Sequence, residues 1–212
     1  MKLIRSEHSA FILESEGRRL GVDFGIFTPP EKMLELVPLR ALCVSHGHSD
    51  HFSEVNICAV GVPVAAPADV VALLPESVEA NTLRLGTVTL LEGFAITPTP
   101  ANHGPRLTRP IENYGLVIER AGRRIYYVGD MAVATPPPNG PFDLVLVPVE
   151  GGGFVFDPEQ AIAFIRAMDH RGMVVPIHDG DLPEPGCIER FAQLAEGVCK
   201  AVVLRTGESL KV

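Results

Sequence analysis

The sequence lacks the cysteine spacing of a structural zinc site. Its four cysteines, at positions 43, 58, 187 and 199, are at least 12 residues apart. This arrangement excludes a CxxC pair and a zinc-finger pattern. Cys43 lies in an apolar run, which is typical of a small buried side chain rather than a catalytic thiol. We therefore expect reduced cysteines that carry no chemistry.

The sequence also lacks an apolar run that could cross a bilayer. The most apolar stretch, 57–75, is interrupted by Asp69 and by three prolines. The first ten residues carry charges and have none of the apolar core of a signal peptide. We therefore expect a cytoplasmic protein with no membrane partner.

An excess of positive charge is missing as well. Eighteen Lys and Arg residues face 26 Asp and Glu residues, which gives a net charge of −8. Because such a chain repels phosphate backbones, we expect no nucleic-acid partner and infer a small-molecule substrate. The 212 residues, 46% hydrophobic and 21% charged, suit a single globular domain over 1–212. The oligomeric state is left open, with a homo-oligomer as one option.

The predicted elements fall into two similar halves, each with β-hairpins followed by strand–helix units. Hairpins are predicted at 10–24 and 115–128, and short helices at 31–37 and 67–74. Asp157, Pro158 and Gln160 form a helix start with an N-cap, a proline at N1 and a capping-box partner. The pattern predicts one α+β domain with two sheets and helices on the outside.

Three of the seven histidines lie in the hexapeptide His46-Gly47-His48-Ser49-Asp50-His51, directly after a predicted buried strand. Composition alone would produce this pattern in only about 3 of 10,000 such chains. Imidazoles and a carboxylate are the ligands that zinc, iron and manganese prefer. The hexapeptide therefore indicates a metal site on a loop at the end of a strand.

Three further residues follow the same rule. His103, Asp130 and His178 each come at the end of a predicted strand and near a glycine. A structural zinc site favours thiolates, whereas seven imidazole and carboxylate ligands suit two ions about 3.5–4 Å apart. We predict a dinuclear centre.

The motif His-x-His-x-Asp-His, followed by His103, Asp130 and His178 in that order, resembles the metallo-β-lactamase superfamily. Segments 7–13, 142–153, 157–159 and 176–178 resemble a narrower group within it, the small hydrolases related to L-ascorbate-6-phosphate lactonase. The resemblance implies a four-layer αββα sandwich with the site at one edge of the two sheets.

The resemblance also implies a ligand set for two divalent metal ions, with zinc expected first and manganese or iron as alternatives. The first ion would be held by His46, His48 and His103, the second by Asp50, His51 and His178, with Asp130 bridging the two. A hydroxide shared by the ions would attack the substrate. Asp50 would orient that hydroxide or take up its proton.

Several other residues are candidates around this centre. Asp23, at the end of an early strand, is expected to support a ligating histidine. His8 matches a histidine of the narrower group and is expected to act as a proton donor or substrate contact, or to be a buried core histidine. Arg106 and Arg109 could bind a carboxylate or phosphate group of the substrate.

The predicted function is metal-dependent hydrolysis of an ester, lactone or phosphoester bond in a small molecule, similar to a lactonase or phosphodiesterase. Asp179 and Asp181 follow His178 and would disfavour a strongly anionic substrate. Two alternatives remain. One is a mononuclear iron redox enzyme on the same fold, similar to a persulfide dioxygenase. The other is a metal-binding module without catalysis.

Overall fold

The computed structural model describes residues 1–36, 38–107, 111–179 and 186–212. The strands in chain order are β1 (Lys2–Arg5), β2 (Phe11–Ser15), β3 (Arg18–Val22), β4 (Ala41–Cys43), β5 (Val64–Ala66), β6 (Ala80–Thr82), β7 (Thr89–Leu91), β8 (Phe94–Pro100), β9 (Tyr114–Arg120), β10 (Arg123–Tyr127), β11 (Leu144–Pro148), β12 (Met173–Ile177), β13 (Lys200–Ala201) and β14 (Ser209–Lys211). The helices are α1 (Pro30–Glu35), α2 (Glu54–Val60), α3 (Ala68–Val71), α4 (Pro158–Ala167) and α5 (Cys187–Leu194).

The strands form two sheets built on the same plan. The first has the order β14-β1-β2-β3-β4-β5-β6, and the second has the order β13-β12-β11-β10-β9-β8-β7. In each sheet the hairpin strands pair antiparallel, and the strands that follow pair parallel, from β3 to β6 and from β10 to β13. The carboxyl ends of neighbouring parallel strands therefore share one edge of each sheet.

Alternation along the strands separates three apolar layers. In β2, Phe11 and Leu13 face the core between the sheets, whereas Ile12 faces the outer layer beneath α1, α2 and α3. In β10, Tyr127 faces the central core and Tyr126 packs in the layer beneath α4 and α5. This period of two is what a half-buried pleated strand requires. The layers confirm the predicted αββα sandwich.

Some helices could be predicted from local sequence patterns alone. In α4 the Asp157 carboxylate accepts from the Gln160 backbone N–H at 2.7 Å, and the reciprocal contact completes the predicted capping box. Helices α1 and α3 occur where short helices were predicted, with shorter bounds, and residue 37 lies outside the described part. Helix α2 and strand β1 were not predicted. No described helix has the length and apolarity needed to cross a membrane.

A buried hydrogen bond connects the two sheets near the edge where the parallel strands end. The Tyr127 hydroxyl of β10 donates to Asp23 Oδ2 at 2.6 Å, and Asp23 follows β3 in the other sheet. Both side chains are fully buried. Burial and the Asp23 charge hold the pKa of Tyr127 well above its usual range, so the hydroxyl remains a donor.

Replacing Tyr127 with Phe should lower the free energy of unfolding of the metal-free protein by about 1.5–3 kcal/mol, because a buried hydrogen bond to a carboxylate is lost. The neighbouring Tyr126 is the matched control, since its buried hydroxyl lies near Thr99 and bonds to no charged group among the described residues. Tyr126→Phe should lower the free energy of unfolding by no more than about 1 kcal/mol. Urea denaturation in the presence of a chelator measures both variants, and equal losses would contradict the assignment.

Candidate metal centre

The predicted ligands converge at the edge where the parallel strands of both sheets end. The hexapeptide 46–51 follows β4, Asp130 follows β10 and His178 follows β12. His103 follows β8, and the first sheet also supplies His8 from the turn between β1 and β2. The donor atoms form two groups, within each of which all of them lie within 4.8 Å of one another.

The first group contains His46, His48, His103 and Asp130. His48 Nδ1 lies 3.0 Å from both His46 Nε2 and His103 Nε2. Asp130 Oδ2 lies 3.3 Å from His103 Nε2 and 3.7 Å from His46 Nε2. Three imidazoles and one carboxylate oxygen thus surround a common point.

The second group contains Asp50, His51, His178 and, in addition, His8. Asp50 Oδ2 lies 3.3 Å from His51 Nε2 and 3.6 Å from His178 Nε2. Asp130 also contacts this group, with Oδ1 at 3.3 Å from His51 Nε2 and Oδ2 at 3.3 Å from His178 Nε2. Its carboxylate therefore lies between the two groups, where a bridging ligand would be placed.

These distances fit metal coordination. For a bond length of about 2.0–2.1 Å, tetrahedral ligand atoms are about 3.3–3.4 Å apart. Two buried donor atoms, His51 Nε2 and Asp130 Oδ1, lie 3.3 Å apart but make no well-aligned hydrogen bond among the described residues. A poorly satisfied buried polar atom is costly, and a cation between the groups would satisfy both of them.

Asp23 supports the centre from behind. Its carboxylate accepts from His51 Nδ1 at 2.8 Å, from the Ser45 backbone N–H at 2.7 Å and from the Ser45 hydroxyl at 2.6 Å. Ser45 Oγ in turn lies 3.0 Å from His46 Nδ1. Because the Nδ1–H groups of His46 and His51 donate these hydrogen bonds, their Nε2 lone pairs are directed toward the two groups. Asp23 thus has the supporting position expected from the sequence.

Sequence reasoning missed three residues that position ligands. Glu150 Oε2 accepts from His178 Nδ1 at 2.5 Å. Tyr127 binds Asp23, as described above. Asn113 donates its amide to the Asp130 carbonyl at 2.7 Å and to the Ala101 carbonyl at 3.2 Å, which joins the loops that carry Asp130 and His103. Glu150 could have been found, because it follows β11 as Asp130 follows β10.

The electrostatics of the metal-free centre follow from these contacts. Burial opposes ionisation of Asp130, but the charges of His51 and His178 outweigh it and hold the pKa of Asp130 well below its usual range. Burial likewise opposes protonation of His178, yet Asp130 and Glu150 raise its pKa to about 9. Burial lowers the pKa of His46 and of His48, which keeps both neutral and able to ligate.

Three residues of the centre have a strained backbone. His8, Asp23 and His178 have left-handed φ values of 55°, 55° and 60°, and all three side chains are buried. Each such residue costs on the order of 1 kcal/mol or more. The surrounding hydrogen bonds maintain this conformation, which is frequent at functional sites.

A pocket of about 410 Å³ opens onto the two groups. Its polar wall includes His48, Asp50 and His103, and its apolar wall includes Phe154 and Val155. His8, His46 and His51 are not among its described lining residues. The pocket therefore reaches the centre from one side.

The candidate substrate contacts differ in their placement. Arg106 lines the pocket, with its guanidinium carbon 5.7 Å from the centroid of the Phe154 ring. Arg109 and Asp181 lie outside the described residues. Asp179 is paired with the buried guanidinium of Arg5. The charge of Asp179 is therefore compensated, which weakens the expectation that it repels an anionic substrate.

A family model and similar relatives assign the chain to the same family of proteins. A family model described as a beta-lactamase superfamily domain matches residues 21–178, a range that includes Asp23 and the seven predicted ligands. A UPF0173 metal-dependent hydrolase of Pyrobaculum arsenaticum is 28% identical over 227 residues and covers 97% of each chain. One of Thermus thermophilus is 29% identical over 219 residues, covering 97% of this chain and 96% of the relative.

Among solved structures, a novel metallo hydrolase from Ignicoccus hospitalis superposes with a TM-score of 0.80 over 99% of this chain and 97% of that chain. At 23% identity this likeness shows the fold. The comparisons do not confirm the narrower resemblance to the L-ascorbate-6-phosphate lactonase group. Since the family model matches more than half of the chain, including the whole histidine-rich motif, the chain belongs to the metallo-β-lactamase superfamily.

Proposed function

We propose that the protein is a dinuclear metal-dependent hydrolase that cleaves an ester, lactone or phosphoester bond of a small molecule. The observation that carries this proposal is the meeting of two donor groups at the inner end of one pocket, with Asp130 between them. The names of the two relatives, both metal-dependent hydrolases, support the same reaction class.

Two divalent ions, with zinc as the first candidate and manganese or iron as alternatives, would be held by the two groups. Bound there, they would lower the pKa of water and polarise the carbonyl or phosphoryl oxygen of a substrate. The existence of two donor groups favours this over a mononuclear iron redox enzyme, for which the first group would suffice. A binding module without catalysis would not require a pocket that reaches both groups.

Asp50 is the residue best placed to act on water. It is partly exposed and lines the pocket, whereas His51 behind it is fully buried. Burial opposes ionisation of Asp50, but the His51 imidazole 3.3 Å away and the hydrogen bond from His8 outweigh it and hold the pKa of Asp50 well below the usual range. An ionised carboxylate of this kind is a weak base. We infer that Asp50 accepts a hydrogen bond from the attacking water and orients it. Asp50 does not act as the base that removes a proton from that water.

The pocket suits a small substrate that has an apolar part and an anionic group. Its volume of about 410 Å³ is in the range of small-molecule sites. Leu107, Phe154 and Val155 would contact the apolar part. Arg106, which stacks on Phe154 at the rim, would bind a carboxylate or phosphate group.

Protein purified without chelator should contain close to two zinc or manganese ions per chain, as measured by inductively coupled plasma mass spectrometry. Removing them should abolish hydrolysis, and adding them back should restore it. One iron per chain would support the mononuclear alternative. No metal after reconstitution would mean that the donor atoms do not bind ions, and the proposal would be wrong.

Metal binding should also release protons and weaken as the pH falls. The raised pKa of His178, about 9, means that its ring is protonated at pH 7 in the metal-free protein, and this proton must leave before the metal binds. Below that pKa the affinity should drop by about tenfold per pH unit for each proton released. Calorimetric titration in buffers of different ionisation enthalpy measures the release, and a pH-independent affinity would contradict it.

Replacing Asp50 with Asn should lower kcat by at least about 100-fold while the circular dichroism spectrum stays unchanged, because the carboxylate that orients water is lost. Asp169→Asn is a matched control, since that carboxylate is exposed and, among the described residues, pairs with Arg171 alone. A panel of lactones, esters and phosphoesters gives the measurement. Unchanged turnover in the Asp50 variant would exclude the proposed role.

Replacing Arg106 with Gln should raise KM for an anionic ester by about tenfold, or about 1.4 kcal/mol, and leave kcat nearly unchanged. A neutral ester of the same shape should show no change. Arg171→Gln serves as the control, because Arg171 is exposed and does not line this pocket. Equal effects on both esters would indicate a structural role for Arg106.

A further inference from the structure

His8 lies outside the histidine-rich motif, yet its imidazole joins the second donor group. His8 Nε2 is 3.1 Å from His178 Nε2 and 3.2 Å from Asp50 Oδ2. Both distances lie between the separation of about 2.8–3.0 Å expected for neighbouring ligands of an octahedral ion and the separation of about 3.3–3.4 Å expected for a tetrahedral one. All four donor atoms of the group lie within 4.8 Å of one another.

Hydrogen bonding alone satisfies this arrangement poorly. His8 Nε2 carries at most one proton, which it can donate to Asp50. Because His178 Nδ1 donates to Glu150, its Nε2 presents either a lone pair or a second N–H toward His8. If His8 Nε2 is protonated, in the first case one proton is shared between two acceptors, and in the second case two N–H groups face each other. If His8 Nε2 is unprotonated, its lone pair faces the Asp50 carboxylate at 3.2 Å, and the proton moves to His8 Nδ1, which is buried without a hydrogen-bond partner among the described residues. A cation bound by all three atoms removes the conflict.

The backbone holds His8 next to the second donor group in a strained conformation. Its φ of 55° is left-handed, a conformation that glycine would adopt without strain. The buried Arg5 side chain donates to the His8 carbonyl and also pairs with Asp179, and the His178 backbone N–H donates to the same carbonyl at 3.3 Å. These contacts attach the turn that carries His8 to the strand end that carries His178.

We propose that His8 Nε2 is a fourth protein ligand of the second metal ion, in addition to Asp50, His51 and His178. The inference rests on the proposed dinuclear centre. It makes the two ions unequal, because apart from the shared Asp130 the first ion has three protein ligands and the second has four. Fewer positions would then remain for water or substrate at the second ion, and His8 would act behind the pocket rather than as a substrate contact.

The test is a Co²⁺ titration of the metal-free protein, followed by competition with a chromophoric chelator and by the visible spectrum. In His8→Gln the imidazole ligand is lost, but the glutamine amide can still donate a hydrogen bond to Asp50. In His8→Gly the ligand is lost and the backbone strain is relieved. We expect the wild type to bind two ions. Both variants should keep one wild-type affinity and lose at least about tenfold in the other, with a changed Co²⁺ spectrum for that ion.

Two further measurements keep a binding loss from being confused with misfolding. The urea midpoint of metal-free His8→Gly should be unchanged or higher than that of the wild type, and His170→Gln should bind both ions normally, because His170 contacts the Met173 carbonyl away from the centre. If His8→Gln binds both ions with wild-type affinity, His8 is only a hydrogen-bond donor. That result would overturn the inference about His8 but leave the dinuclear proposal intact. Fewer than two ions in the wild type would instead overturn the dinuclear proposal itself.

Discussion

Four carboxylates and six imidazoles crowd one end of the sandwich, and their burial is the constraint on which the rest of the structure depends. Isolated buried charges are too costly to persist, so this end is stable only if cations balance the carboxylates. In the metal-free protein, protons on His51 and His178 provide part of that balance, since both rings have raised pKa values. Metal ions would replace those protons. Metal binding, proton release and stability of this end are therefore one coupled equilibrium.

The fold meets this constraint by placing the polar residues just beyond the ends of apolar strands. The strands β3, β4, β10, β11 and β12 end in buried residues, and each is followed by a candidate ligand or by a carboxylate that supports one. The left-handed backbone at Asp23 and His178 turns their side chains into the centre. The hydrogen bond from Tyr127 to Asp23 connects the two sheets beneath it. Burial of the apolar core thus offsets the free-energy cost of backbone strain and buried charge at this end.

The clustering of the candidate ligands could be predicted from the sequence because it depends on local patterns. The hexapeptide is contiguous, and His103, Asp130 and His178 follow strands that alternation and apolar runs reveal. Tyr127 could not be found in this way, because a tyrosine in a strand indicates only burial, and its partner is 104 residues distant. The role of His8 also depends on a contact across 170 residues, with His178.

Helix α2 was missed for a different reason: its sequence does carry a local helical pattern, but that pattern is weak. Its seven residues bury mainly Ile57 and Asn56, so the apolar face is too short to stand out. The Asn56 amide donates to the carbonyls of Phe24, Gly25 and Thr28, which fixes the loop that follows Asp23. Polar side chains that hold a loop in this way leave no periodic pattern, because their partners are distant backbone atoms.

The centre is exposed on one side only, and this separates two tasks within the chain. Within the donor groups, His46, His51 and His8 lie on the side away from the pocket and contact other polar residues, whereas His48, Asp50 and His103 face the pocket. The pocket's apolar wall comes from loops 106–107 and 151–155, which contribute no donor to either group. Changes in those loops would alter the substrate without disturbing the ligands. The strand ends therefore determine the reaction class, and the loops determine the molecule on which it acts.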